Sequence, residues 1–235
     1  MLDFTPKSTE EMVFANADTK SILSDILLGN ISFPSNGKNS LLLYGVFGSG
    51  KTTYANIFFN EYDKSFQNED TAFVNPFGNV SIANIAVDGN EKITTTVDKL
   101  TEMCQFIPFN ASNKHYILFD EVDGYSIKQQ RRLKSWLNRS DVICVMTTNY
   151  IEDIDKGLRS RCYEVEFNAS SNISDYVMRL RQILHQHNMP LLNDTQLYQI
   201  VQRADGDWRE MCATLQRVCA NISTQPQQPK GLRVV

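Results

Sequence analysis

Residues 45–52 read Gly-Val-Phe-Gly-Ser-Gly-Lys-Thr, and no other feature of this 235-residue chain narrows the fold as sharply. The pattern G-x-x-x-x-G-K-[ST] follows a strand-like run, Leu41-Leu42-Leu43-Tyr44, and leads into a helical pattern from Thr52 to Tyr62. A loop that leaves a buried strand and enters a helix with this spacing turns successive backbone N–H groups toward one anion. Glycine permits the turn and the close approach of a phosphate, and the positive end of the following helix points at the same place. Gly45, Val46, Phe47, Gly48, Ser49, Gly50, Lys51 and Thr52, with the adjoining Thr53, therefore form the predicted phosphate cradle. Lys51 is in reach of β- and γ-phosphates, and the Thr52 hydroxyl suits Mg²⁺.

The rest of the chain supplies the setting such a loop needs. Tyr116 to Phe119, Val142 to Met146 and Tyr163 to Phe167 are further short apolar runs. They are continuous rather than alternating, as strands buried on both faces of a parallel sheet are. A fifth strand falls within Val80 to Val87, with Thr71 to Val74 competing for the same role. Helical patterns over Lys20–Leu28, Thr52–Tyr62, Ile93–Phe106 and Ile127–Leu137 separate these strands. The alternation predicts an α/β fold, a three-layer α/β/α core around a five-stranded, mainly parallel sheet. After Phe167 only helical patterns remain, at Ile173–His187, Thr195–Ala204 and Asp207–Ile222. The expected organisation is a core at 1–167, a small helical lid at 168–223 and a flexible tail at 224–235.

The second strand ends in Asp120-Glu121-Val122-Asp123, at the carboxyl edge where open α/β sheets bind ligands. Asp120 is the candidate to hold Mg²⁺ through water, and Glu121 to polarise an attacking water. The third strand ends in Thr147-Thr148-Asn149, where the Asn149 amide can orient that water or contact the γ-phosphate.

Composition excludes several alternatives. Lys plus Arg number 23 and Asp plus Glu 27, a net charge of −4, so a protein that coats nucleic acid through uniform basicity is ruled out. Yet no acidic residue lies between Asp123 and Asp141, a stretch holding Lys128, Arg131, Arg132, Lys134 and Arg139. Lys128, Arg131 and Arg132 share one helix face, with Ile127, Leu133, Trp136 and Leu137 left to pack inward. The five cysteines are scattered and lack any C-x-x-C pair, which predicts reduced thiols packed as small hydrophobes rather than a zinc ribbon or disulfide framework. No membrane-length apolar stretch and no secretory signal appear, so a cytoplasmic location is expected.

Taken together, Gly45–Thr52, Phe119–Asp123, Thr147–Asn149, Ser160-Arg161-Cys162 and Gly206-Asp207-Trp208-Arg209 resemble the AAA+ ATPases, and among them clamp-loader small subunits of the replication factor C and phage type. The resemblance implies ATP and Mg²⁺ as cofactors and an oligomeric ring. Arg161 would act as an arginine finger on the nucleotide of a neighbouring subunit, with Arg159 a competitor, and Arg209 would contact the γ-phosphate in its own subunit. It further implies that the helix carrying Lys128, Arg131, Arg132 and Lys134 tracks the backbone of primer–template or duplex DNA, or senses a neighbour's nucleotide. A sliding clamp or a helicase would be the protein partner. The family's adenine pocket draws on the region of Met12 to Ala15, and Asn84 is a candidate switch residue. Such subunits usually carry a third, collar domain, and Thr224 to Val235 is expected to be too short to supply one. A helicase loader or transposition-type regulator, and a nucleotide-gated scaffold without turnover, are the competing readings.

Overall fold

A computed structural model describes residues 4–14, 16–67, 80–87, 93–167 and 173–224. The competing strand at Thr71–Val74, Ala15 and the tail beyond Thr224 lie outside the described residues. Five strands, β1 (Ser40–Tyr44), β2 (Ile82–Ala86), β3 (His115–Asp120), β4 (Val142–Thr148) and β5 (Cys162–Glu166), form one sheet in the order β2-β3-β4-β1-β5, with every pairing parallel.

Period-2 alternation sends successive side chains of each strand to opposite faces. Leu41, Leu43, Leu118, Ile143 and Val145 join one buried cluster with residues of α1 (Ala17–Leu27) and α2 (Lys51–Lys64). Leu42, Ile117, Phe119, Cys144 and Met146 join the other, against α3 (Ile93–Met103), α4 (Ile127–Trp136) and the short α5 (Lys156–Arg159). Both faces are covered, which is why the central strands read as unbroken apolar runs.

A third cluster unites α6 (Ile173–Gln186), α7 (Asp194–Ala204) and α8 (Trp208–Thr224) around Leu180, Leu184, Leu197, Met211 and Leu215. Asn193 caps α7 through a reciprocal pair with Gln196. The segment before α1 links this cluster to the sheet. Phe4 is buried among α6–α8, and Phe14 packs in the α1–α2 cluster. Between them Thr9 N–H donates to Glu61 of α2 at 2.9 Å, and Glu11 pairs with Arg179 of α6 at 3.0 Å.

Several boundaries differ from the sequence expectations. Helix α1 begins three residues early because the Asn16 side chain accepts from Thr19 N–H and caps a first turn with no apolar stripe. Helix α3 stops at Met103, so Phe106 lies beyond it and is 75% exposed. In α4, Ile127 is 43% exposed rather than packed inward. Gln130 takes an interior place there, with its amide satisfied by the carbonyls of Tyr125 and Asp153.

Candidate functional site

The strand order places β4 between β1 and β3, so the loop leaving β1 and the acidic end of β3 face one another across the end of β4. Three carboxyl-terminal strand ends thus meet at one edge of the sheet, where parallel α/β sheets bind ligands. The loop needs its glycines here, since Gly48 and Gly50 take φ of +71° and +95°. A Cβ at Gly48 would also strike the Asp207 carboxylate. Trp208 N–H donates to the Gly48 carbonyl at 3.0 Å, docking the start of α8 directly on the loop.

Lys51 lies at the centre of this edge, only 8% exposed. Its ammonium donates to the carbonyls of Gly45 (2.9 Å) and Val46 (2.7 Å) and to Asn149 Oδ1 (2.9 Å). Burial pushes its pKa from 10.5 down to about 8, with nearby Arg209 adding to the fall and Asp120 and Glu121 opposing it. A cation desolvated in this way gains most from an incoming polyanion.

Asp120 Oδ1 accepts from Thr52 Oγ1 at 2.9 Å and from Thr147 Oγ1 at 2.6 Å. Hydroxyl and carboxylate present hard oxygen donors side by side, the donor set a small divalent cation such as Mg²⁺ takes. Glu121 follows with φ of +59°, a left-handed conformation uncommon for a side chain other than glycine. Its N–H is held by Thr147 Oγ1 at 2.9 Å. Thr147 therefore ties both acidic residues of β3 to β4 while itself only 1% exposed. Sequence reasoning passed over it in favour of Asn149. The available signal was its position two residues before Asn149, which puts both on the same side of the β4 end.

Phe47, Gly48, Ser49, Gly50, Lys51, Thr52, Thr53, Asp120, Glu121, Thr147, Asn149 and Arg209 line one cleft. Val46 reaches the group through its carbonyl, which accepts from Lys51. Beside it an apolar recess is walled by Met12, Val13, Tyr176 and Trp208. Asn84 lies in the middle of β2 opposite Leu118, two residues short of the level of Asp120.

Arg161 is not brought to this cleft. Its carbonyl accepts from Asn39 N–H, just before β1, at the amino edge of the sheet. Six residues separate Asn39 from Gly45, about 20 Å at the rise of a strand. Among the described residues its guanidinium meets only neutral oxygens, Asn138 Oδ1 at 3.0 Å and the Gly157 carbonyl at 3.1 Å. Arg159, by contrast, is engaged by both oxygens of Glu164 at 2.9 Å. On α4, Lys128, Arg131 and Arg132 are exposed. Arg131 pairs with Asp155 at 3.0 Å, and Lys134 lies over Gly157, where an added side chain would meet its ammonium. Lys128 and Arg132 make no ion pair among the described residues.

No described helix is long and apolar enough to cross a membrane. The chain is 23% identical over 219 residues to "Replication factor C small subunit 2" of Pyrobaculum islandicum, covering 92% of this chain and 62% of the relative. The corresponding protein of Pyrobaculum aerophilum is 22% identical over 222 residues, covering 94% of this chain and 63% of its own. The chain thus spans about three fifths of the length of these curated relatives. In fold it is similar to the Thermotoga maritima RuvB Holliday junction branch migration motor (TM-score 0.65, 18% identity, 94% of this chain and 66% of that one). Caenorhabditis elegans PCH-2 is a further structural likeness (TM-score 0.56, 15% identity, 95% and 67%). Residues 41–170, more than half of the chain and the whole of the sheet edge just described apart from Arg209, match the family described as "ATPase family associated with various cellular activities (AAA)", and the chain belongs to that family.

Proposed function

We propose that this chain hydrolyses ATP as a subunit of an oligomeric, clamp-loader-like assembly on DNA. The observation that carries the reading is that two hydrogen-bonded groups, Lys51 with Asn149 and Asp120 with Thr52 and Thr147, line one cleft at the mouth of the glycine loop. In it the loop N–H groups and Lys51 bind the phosphates. Thr52 and Asp120 would hold Mg²⁺, which would supply charge neutralisation to the phosphates. Glu121, projected by its left-handed backbone, polarises the attacking water, and Asn149 orients it. Arg209, on the helix docked against Gly48, reports the γ-phosphate to α6–α8. Residues 1–167 then act as the ATPase core and 168–223 as a lid, with the base in the recess walled by Met12 and Trp208.

Oligomerisation completes the site. Arg161 lies too far from its own loop to reach it, and among the described residues no carboxylate pairs with it, unlike Arg159. An always-charged guanidinium held at the amino edge suits delivery to a neighbouring subunit's phosphates. The name borne by the Pyrobaculum relatives, Replication factor C small subunit, supports a role in replication, and the exposed face of α4 supports contact with DNA phosphates through Lys128 and Arg132.

The test is steady-state ATPase of the purified chain with Mg²⁺ and primer–template DNA, across a concentration range that spans assembly. Glu121→Gln removes turnover but keeps nucleotide binding. Arg161→Ala removes only the rate that rises with assembly, by about 10³-fold or more if it acts as fingers of other P-loop enzymes do. Turnover equal to that of Glu121→Gln would leave a nucleotide-gated scaffold, and an unaffected Arg161→Ala would end the role of that residue.

A further inference from the structure

A second cluster of functional chemistry lies at the amino edge of the sheet, away from the cleft. Cys104 immediately follows α3, His115 opens β3, and Asp141 immediately precedes β4. Cys104 Sγ, a ring nitrogen of His115 and a carboxylate oxygen of Asp141 lie within 4.8 Å of one another. Five residues separate His115 from Asp120, about 17 Å along a strand, so this group shares nothing with the acidic end of β3.

The geometry points to a divalent-metal site of the zinc class formed by Cys104, His115 and Asp141. One thiolate, one imidazole and one carboxylate are the three ligand types Zn²⁺ accepts together, and three protein ligands leave a fourth, tetrahedral position for water. Two of the ligands are positioned in advance, because His115 N–H donates to the Asp141 carbonyl at 2.9 Å and pins the start of β3 to the approach to β4. Cys104 and His115 are each 9% exposed, while the Asp141 side chain is 40% exposed and opens the group to solvent. Tetrahedral zinc with bonds of about 2.0–2.3 Å sets its ligand atoms roughly 3.4–3.8 Å apart, so side-chain rotation closes the gap without moving the strands.

The charged neighbours are compatible with an ion. Arg139 grips both oxygens of Asp141, and this pairing keeps the carboxylate ionised, the form that ligates. Each carboxylate oxygen has two lone-pair sites, so one oxygen turns to the metal while the guanidinium keeps the other. Burial holds the Cys104 thiol protonated above its usual range. Binding therefore breaks the S–H bond, forms a metal–sulfur bond and releases one proton to solvent. Lys114, the residue before His115, donates its ammonium to the Ser140 carbonyl. The bound ion would clip the end of α3 to β3 and β4.

The full chain, reduced and stripped of metal, is titrated with Co²⁺ as the spectroscopic substitute for Zn²⁺. A near-ultraviolet thiolate-to-cobalt band that saturates at one equivalent and is displaced by Zn²⁺ is the expected result. Cys104→Ala removes the band and Cys212→Ala leaves it. His115→Ala and Asp141→Asn keep all five thiols and weaken binding at least about tenfold, the scale of a disturbed ligand shell, with circular dichroism reporting that each variant is folded. Should Cys104→Ala not fold, the His115 and Asp141 variants decide the matter. Absence of a thiolate band in the wild-type chain, its survival in Cys104→Ala, or affinity unchanged in both other variants would overturn the proposal.

Discussion

Replacing Thr147 with valine preserves shape in a fully packed position and deletes one oxygen atom. That atom donates to Asp120 at 2.6 Å and accepts from Glu121 N–H at 2.9 Å. The bond to Asp120 involves an ionised acceptor and is short, the strong class of hydrogen bond. Such bonds contribute about 1.5–3 kcal/mol. If that stabilisation is realised when charge develops at the phosphates, its loss lowers kcat by about 10- to 150-fold. The glycine loop and Lys51 are untouched, so KM for ATP stays within about twofold, the signature of an interaction made in the transition state. The orphaned Glu121 N–H and the lost pairing cost about 1.5–3 kcal/mol of stability, a fall of roughly 3–12 °C in Tm for a chain of this size. Steady-state ATPase with saturating Mg²⁺, beside a thermal melt, measures both quantities. Thr147→Ser restores the hydroxyl and should recover most of the rate. A Thr147→Val enzyme with wild-type kcat, or one whose defect lies wholly in KM, would refute the positioning role.

Two other perturbations address the charges around the site. With the Lys51 pKa lowered to about 8, the folded chain binds fewer protons than the unfolded one from there up to 10.5, so this residue makes stability rise with pH across that window. Phosphate favours the charged form, so ATP binding takes up about three quarters of a proton near pH 8.5 and weakens as pH rises further. Calorimetry in buffers of different ionisation heat detects the uptake, and Lys51→Arg, which stays charged, should abolish it. On α4, the double variant Lys128→Ala, Arg132→Ala should flatten the salt dependence of duplex binding by about 1.8 in log–log slope. Arg131→Ala changes it less because Asp155 already occupies that guanidinium, and an unchanged slope in the double variant would refute a DNA contact at this face.

The strands at the centre of the sheet were legible because each sends alternate apolar residues into two separate cores. Strand β2 was harder to place for the complementary reason. It is an edge strand with no fully buried residue and with Asn84 at its middle, so its apolar signal is weak. Helix α5 has four residues, too few to show a period, and is set by the Asp155 cap on Gly157 and Leu158 N–H groups. The glycine loop was legible because its signal is local, eight consecutive residues between β1 and α2. Thr147 was not, since its role exists only once β3 and β4 lie side by side.

The same distinction separates Arg159 from Arg161, which are two residues apart and chemically identical. A residue type states what a side chain can do, and its partners decide whether it is available. Arg159 meets Glu164 because α5 turns back to enter β5, and the exposed ion pair removes its net charge. Arg161, one residue before β5, finds an amide oxygen and a carbonyl that fix its direction without cancelling its charge. Cys104, His115 and Asp141 present the same case over a longer range. Gaps of 11 and 26 residues conceal a cluster that the start of the β3–β4 ladder brings together. In each instance strand register, set by burial of the apolar runs, determines which polar groups remain free to act, so the chemistry at both edges of this sheet follows from packing in its middle.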